Sequence, residues 1–113
     1  MSHPLLAAEA GVRRLLLGNE AIVRGALEAG INVVTCYPGT PSSEIPDTFH
    51  YLASCGRYRM EYSVNEKVAV EVGAGAALAG AMSMTTMKHV GVNVAADPLF
   101  TAAYVGLPGG FVL

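Results

Sequence analysis

Residues 66–80 leave a helix no side to turn toward water. The stretch "NEKVAVEVGAGAALAGA", residues 65–81, reads as one helix. At 3.6 residues per turn, Glu66, Val70, Gly73, Ala77 and Gly80 fall along one line, and Val68, Val72, Gly75 and Ala79 along another. The third line, Lys67, Glu71, Ala74 and Leu78, turns apolar after Glu71. A helix that is apolar or small all round is buried all round. One face can meet a sheet. The opposite face needs a second cover, either within this domain or from a partner outside it. With 113 residues, 52% of them hydrophobic, the chain suffices for one domain with its own core and no stapling by disulfide or metal.

The flanking segments supply the sheet. "GNEAIVRGALEAG" (18–30) reads as a helix with Asn19 as N-cap, an apolar stripe of Ile22, Val23, Ala26 and Leu27, and Gly30 as its stop. "NVVTCY" (32–37) is a short apolar strand of the kind covered on both faces. "PSSEIPDTFHYLASC" (41–55) reads as a helix with Thr40 as N-cap and Pro41 at its first position. Pro46 would cost that helix a backbone bond, so its first turn should be kinked or separate. Strands follow at 57–63 and 82–87, around the small-residue helix. A helix at 93–106, capped by Asn93 and bent at Pro98, leads to a last strand at 110–113. Helix and strand in alternation predict an α/β three-layer sandwich with a mostly parallel sheet. Residues 1–14 read as a loosely ordered lead-in, and 15–113 as a domain lacking a closing element after its last strand.

Several function classes lose support. The net charge is −2 and the basic residues are scattered, which argues against a nucleic-acid surface. Cys36 and Cys55 are isolated and read as reduced thiols, not metal or cluster ligands. His3, His50 and His89 show no metal spacing, so no metal site is expected. The N-terminus lacks the order of a signal peptide, and the uncharged stretch 72–87 is too short to span a bilayer, so a cytoplasmic protein away from membranes is expected. Neither G-x-G-x-x-G nor a P-loop occurs.

In open parallel sheets ligands bind beyond the carboxyl ends of the strands. Three segments fall there. "YPGTPSS" (37–43) has Pro38 and Pro41 to stiffen it, Gly39 to allow close approach, and hydroxyls of Thr40, Ser42 and Ser43 near a helix start, where an anion fits; Thr40–Pro41 is equally a good helix start. Glu66 follows a strand directly. It is either a first-turn acid behind an Asn65 cap or a carboxyl for proton chemistry, opposed influences acting on its pKa. Lys67 and Glu71, four apart, read as a surface pair. Lys88 and His89 end a strand and could meet an anionic or carbonyl group.

Taken together, "GNEAIVRGALEAG", "YPGTPSSE", "SVNEKVAVEVGAGAALAGA" and "TMKHVGVNVAADPL" resemble the N-terminal part of the alpha subunit of the indolepyruvate:ferredoxin oxidoreductases, from about Leu15 onward. The resemblance implies a thiamine-diphosphate-binding fold and the pyrimidine-binding domain of an enzyme that oxidatively decarboxylates arylpyruvates, passes the acyl group to coenzyme A and reduces ferredoxin. It implies that Glu66 hydrogen-bonds the pyrimidine ring nitrogen. Tyr37, Pro38, Gly39 and Thr40 would line the cofactor, Thr40 meeting the substrate carboxylate or an adjacent cofactor group. Lys88 and His89 are weaker carry-overs to the substrate. Magnesium would be held by a domain absent here, and a 4Fe–4S cluster would sit elsewhere in the full-length enzyme. A beta subunit, further C-terminal domains and a homo-oligomeric assembly are expected, and the chain alone is expected to be inactive. The alternatives are a domain of a related 2-oxoacid oxidoreductase or decarboxylase, or a non-catalytic assembly module of the same fold.

Overall fold

The computed structural model describes residues 3–113. Its elements are helix α1 Gly18–Glu28, strand β1 Val33–Cys36, helix α2 Glu44–Leu52, strand β2 Arg59–Tyr62, helix α3 Glu66–Leu78, strand β3 Ser83–Thr86, helix α4 Gly91–Val105 and strand β4 Phe111–Val112. The strands form one sheet in the order β2-β1-β3-β4, every pairing parallel. The chain runs outward from β1 to β2, then back past β1 to β3 and on to β4. With right-handed crossovers that reversal places α2 on one face of the sheet and α3 and α4 on the other. The expected α/β layering is therefore present, with the change of direction between β1 and β3.

One face carries the larger side chains. Val23 and Ala26 of α1 and Ile45, Phe49 and Leu52 of α2 pack with Val34 and Met84 of the sheet. Tyr58 closes this core, its hydroxyl donating to the Phe49 carbonyl. The lead-in docks at one point: Pro4–Leu6 form a 3₁₀ turn, Leu5 is buried in the same core, and Arg24 Nη1 donates to the Leu5 and Ala7 carbonyls at 2.9 and 2.7 Å.

The other face is built from small and hydroxylated residues. Thr35 Oγ1 donates to the Ala69 carbonyl at 2.7 Å, Thr35 and Thr85 share a hydroxyl–hydroxyl bond of 2.8 Å, and Ser83 Oγ donates to the Gly73 carbonyl at 2.8 Å. Buried hydroxyls need partners, and α3 supplies them because Ala69 and Gly73 let its backbone approach the strands. A Cβ on Gly73 would collide with Thr85 Oγ1 and lie 3.1 Å from the Phe111 ring. The second cover for α3 comes from this same chain: α4 lies along it, burying Gly91, Ala95 and Pro98. Lys67 joins the two helices, 3.1 Å from Asp97 and 3.8 Å from Glu71. A strip of α3 at Val72, Gly75 and Leu78 stays open, and α4 turns Phe100 and Tyr104 outward, 72% and 94% exposed.

Three helix starts differ from expectation. Helix α1 begins at Gly18, and the Leu17 N–H is taken by the Glu20 carboxylate at 2.9 Å. Asn19 is inside the helix and donates instead to the Pro41 carbonyl at 2.9 Å and Glu44 Oε2 at 2.6 Å. Helix α2 begins at Glu44, not Pro41, so Thr40 caps nothing. Started at Pro41, the helix would have placed Pro46 where a backbone donor is required. Started at Glu44, Pro46 falls in the first turn, where no intrahelical donor is needed. Helix α4 begins at Gly91, because successive turns from the Lys88, His89 and Val90 carbonyls wind directly into it and leave Asn93 within the first turn. It continues as one span through Pro98. By contrast Asn65 caps α3 as expected, its Oδ1 accepting from the Val68 N–H at 2.9 Å. Gly30 ends α1 at φ +77°.

The collision at Gly73 makes the contact between α3 and the sheet testable. Gly73→Ala should destabilise the fold by about 1–3 kcal/mol by overpacking, although alanine is the better helix former. Urea unfolding of the two proteins measures it.

Candidate functional site

The loops leaving β1, β2 and β3 converge at the carboxyl edge of the sheet, on either side of the reversal in strand order, where ligands of such sheets bind. The loop after β1 is locked onto its neighbours. The Tyr37 N–H extends the β1–β3 pairing to the Thr86 carbonyl at 3.2 Å. Ser42 closes a turn on the Gly39 carbonyl with both its N–H and its hydroxyl, each at 3.0 Å. Pro38 and Thr40 are exposed on the outer side of this loop.

Glu66 is the first residue of α3 and only 3% exposed. Its Oε1 accepts from Lys88 Nζ at 2.8 Å. Gly91 lies against it without room for a side chain, since a Cβ there would sit 2.8 Å from Glu66 Cγ. Lys88 ties the segments together. Its stem packs on Gly39, where a Cβ would sit 2.7 Å from Lys88 Cβ. Its ammonium lies 5.4 Å from the Tyr37 ring centroid, a cation–π distance. The three expected segments thus do form one rim, joined through a single lysine. His89 is exposed and shares with Lys88 the wall of a cavity of about 490 Å³, whose other side is apolar, with Ile45, Met84 and Val112.

The Lys88 hydrogen bond holds the Glu66 carboxyl below its usual 4.5. Burial opposes this, and the residue's own backbone N–H adds to it. Removal from water alone would push the other way, so the ion pair decides the sign. At the end of β1, Cys36 is buried and reduced, its thiol pushed up to about 12 by burial and then by Asp47. Two hydroxyls on this edge, Ser63 Oγ and Thr86 Oγ1, are buried without a hydrogen-bond partner. Among the described residues no group of three or more His, Cys, Asp or Glu side chains is gathered as a metal site, and no helix is long and apolar enough to cross a membrane.

Sequence reasoning missed Gly91, the Asn19 tie and the two orphan hydroxyls. The glycine had a visible signal, ending "KHVG" next to a helix start, but its neighbour Glu66 is far away in the chain. The other two are set by tertiary packing and leave no local trace.

Residues 24–113 match the family model described as pyruvate flavodoxin/ferredoxin oxidoreductase, thiamine diphosphate-binding. The chain belongs to that family. Among curated members of this family, the indolepyruvate oxidoreductase subunit IorA of Archaeoglobus fulgidus is 64% identical over 107 residues, and that of Pyrococcus abyssi 58% over 103. Both alignments cover 91% of this chain and 17% and 16% of those proteins. The 2-oxoglutarate synthase subunit KorA of A. fulgidus is 36% identical, over 83% of this chain and 27% of that protein. A solved structure of 2-oxoglutarate:ferredoxin oxidoreductase from Magnetococcus marinus, with 2-oxoglutarate, coenzyme A and succinyl-CoA bound, superposes with a TM-score of 0.64 at 28% identity, over 70% of this chain and 14% of that one. The chain therefore spans less than a fifth of the indolepyruvate oxidoreductase subunits named here.

A carboxyl more acidic folded than unfolded adds stability above its unfolded value and loses it as pH falls through its folded value. Glu66→Gln should therefore flatten the loss of stability on acidification below about pH 4.5. Urea midpoints of both proteins, compared at neutral and acidic pH, measure this. An equal acid-induced drop in the two would place the sensitive group elsewhere.

Proposed function

We propose that this chain is the aminopyrimidine-holding domain of a thiamine-diphosphate-dependent indolepyruvate:ferredoxin oxidoreductase. The observation that carries this is the Glu66 carboxylate, buried at the start of α3 and hydrogen-bonded to Lys88. A dry carboxylate already holding an N–H donor at 2.8 Å has the chemistry to hold a ring nitrogen in its place. When bound, thiamine diphosphate supplies the electron sink that decarboxylation of a 2-oxoacid requires.

This chain's own part is to hold a proton position and exclude water. Glu66 holds or shares the proton at the ring nitrogen. Tyr37, Pro38 and Gly39 form a stiff wall, stiff because Ser42 closes the turn and Lys88 packs into Gly39. Thr40, exposed beside them, presents its hydroxyl to the substrate carboxylate or a neighbouring cofactor oxygen. Lys88 and His89 set positive and hydrogen-bonding groups at the mouth, suited to an anionic acid. The substrate class rests on likeness: the subunits at 58% and 64% identity are indolepyruvate oxidoreductases, whereas the 2-oxoglutarate synthase subunit stands at 36%.

The rest of the activity belongs to a longer assembly. Coenzyme A as acyl acceptor, ferredoxin as electron acceptor, Mg²⁺ at the diphosphate and a 4Fe–4S cluster all fall to other domains or to a beta subunit in the cytoplasm. The exposed Phe100 and Tyr104 on α4 support packing against a further domain or a second copy.

In the full-length assembly Glu66→Gln should lower kcat on indolepyruvate by about 10²–10⁴ with little change in KM, the range for removing a positioned acid or base. Steady-state ferredoxin reduction measures it, and full activity would favour a non-catalytic module. Residues 1–113 alone should be inactive and should bind Mg²⁺–thiamine diphosphate more weakly than about 1 μM, since only one end of the cofactor is contacted. Isothermal titration tests this, and tighter binding would refute it.

A further inference from the structure

The two oxygens of Glu66 are not equivalent. Oε1 accepts from Lys88 Nζ at 2.8 Å, and a Cβ on Gly91 would lie 2.9 Å from the same atom. Among the described residues no donor from another residue reaches Oε2. A carboxylate accepts at both oxygens, so a second donor fits without disturbing the first. What the second donor needs is an oxygen that faces it. The last torsion of a glutamate is broad and fixes no direction by itself. Lys88 supplies the restraint. Its Cβ, Cγ and Cδ pack on Gly39, its ammonium lies 5.4 Å from the Tyr37 ring centroid, and among the described residues it is the one ion-pair partner of Glu66. Lys67, next to Glu66 in sequence, is engaged by Asp97 and Glu71.

We propose that Lys88 is a positioning residue for Glu66: it holds Oε1, so that Oε2 is the oxygen presented to the pyrimidine nitrogen, and it stays paired when the cofactor binds. This rests on Glu66 being the ring's partner, as proposed above. In this role Lys88 acts through Glu66 alone. Its charge matters as well as its grip. A buried carboxylate stripped of its cation is costly, and it escapes by taking up a proton or by turning toward water. Either way the oriented acceptor is lost. The stem and the charge of Lys88 can be separated by substitution, because methionine is also unbranched, keeps the packing on Gly39 and removes the ammonium.

The test is a double-mutant cycle in the full-length oxidoreductase assembly, with Mg²⁺–thiamine diphosphate affinity read by isothermal titration and no turnover required. Lys88→Met should weaken binding about tenfold, within the range of couplings between groups in contact. Lys88→Arg keeps the charge and a donor for Oε1, and should stay within about threefold of the native protein. In a Glu66→Gln background the loss from Lys88→Met should vanish. Native affinity in Lys88→Met, an Arg variant as weak as the Met variant, or the same loss in both backgrounds overturns the proposal; the last marks a lysine that only packs. Should Lys88→Met fail to assemble, the structure of the native assembly with cofactor bound decides. Lys88 Nζ within about 3 Å of Oε1, with the ring nitrogen on Oε2, is expected; a ring nitrogen on Oε1 overturns it. Glu66→Gln alone separates this from the underlying assignment. If it leaves affinity unchanged, Glu66 is not the ring's partner; if it weakens binding while Lys88→Met does not, only the role of the lysine is wrong.

Discussion

A single buried carboxylate organises this domain's edge. Glu66 stays ionised out of water because Lys88 reaches it, and Lys88 reaches it because Gly39 and Gly91 leave room on either side. The pair spans three chain crossings that share no local sequence: the loop after β1, the start of α3 and the loop after β3. A buried ion pair is weak evidence for stability as such, since desolvation offsets much of the attraction.

The fold makes that edge possible by dividing its labour between faces. Phe49, Val23, Ile45 and Val34 pack conventional bulk against α1 and α2. On the opposite face Thr35, Ser83 and Thr85 hydrogen-bond to the backbone of α3. Helix α3 lies close on the strands there, and its first residue enters the sheet's edge as a buried side chain. The price is an outer layer with apolar side chains left in water on α4, which sets the expectation of neighbours in the whole protein.

Much of this was legible in the sequence. The alternation of elements, the parallel sheet, the Asn65 cap and the Gly30 stop follow from local chemistry, and local chemistry survives folding. The meeting of three segments followed from one topological rule, and Glu66 stood out as an acid heading a helix with almost no other charge. What was not legible depended on distant partners. Asn19 looks like a cap until Pro41 and Glu44 offer it better bonds. Thr40–Pro41 looks like a helix start until the second proline five residues on is weighed against the donor its position needs. The cover on α3 was open between this domain and a partner, because a stripe of small residues does not say whose side chains it receives; α4 provides most of it.

The most direct measurement is the structure of the full-length assembly with thiamine diphosphate bound. The account predicts the Glu66 carboxylate within about 3 Å of a pyrimidine ring nitrogen, in hydrogen-bond geometry. A ring lying elsewhere, with the Glu66 carboxylate out of reach of its nitrogens, would contradict it.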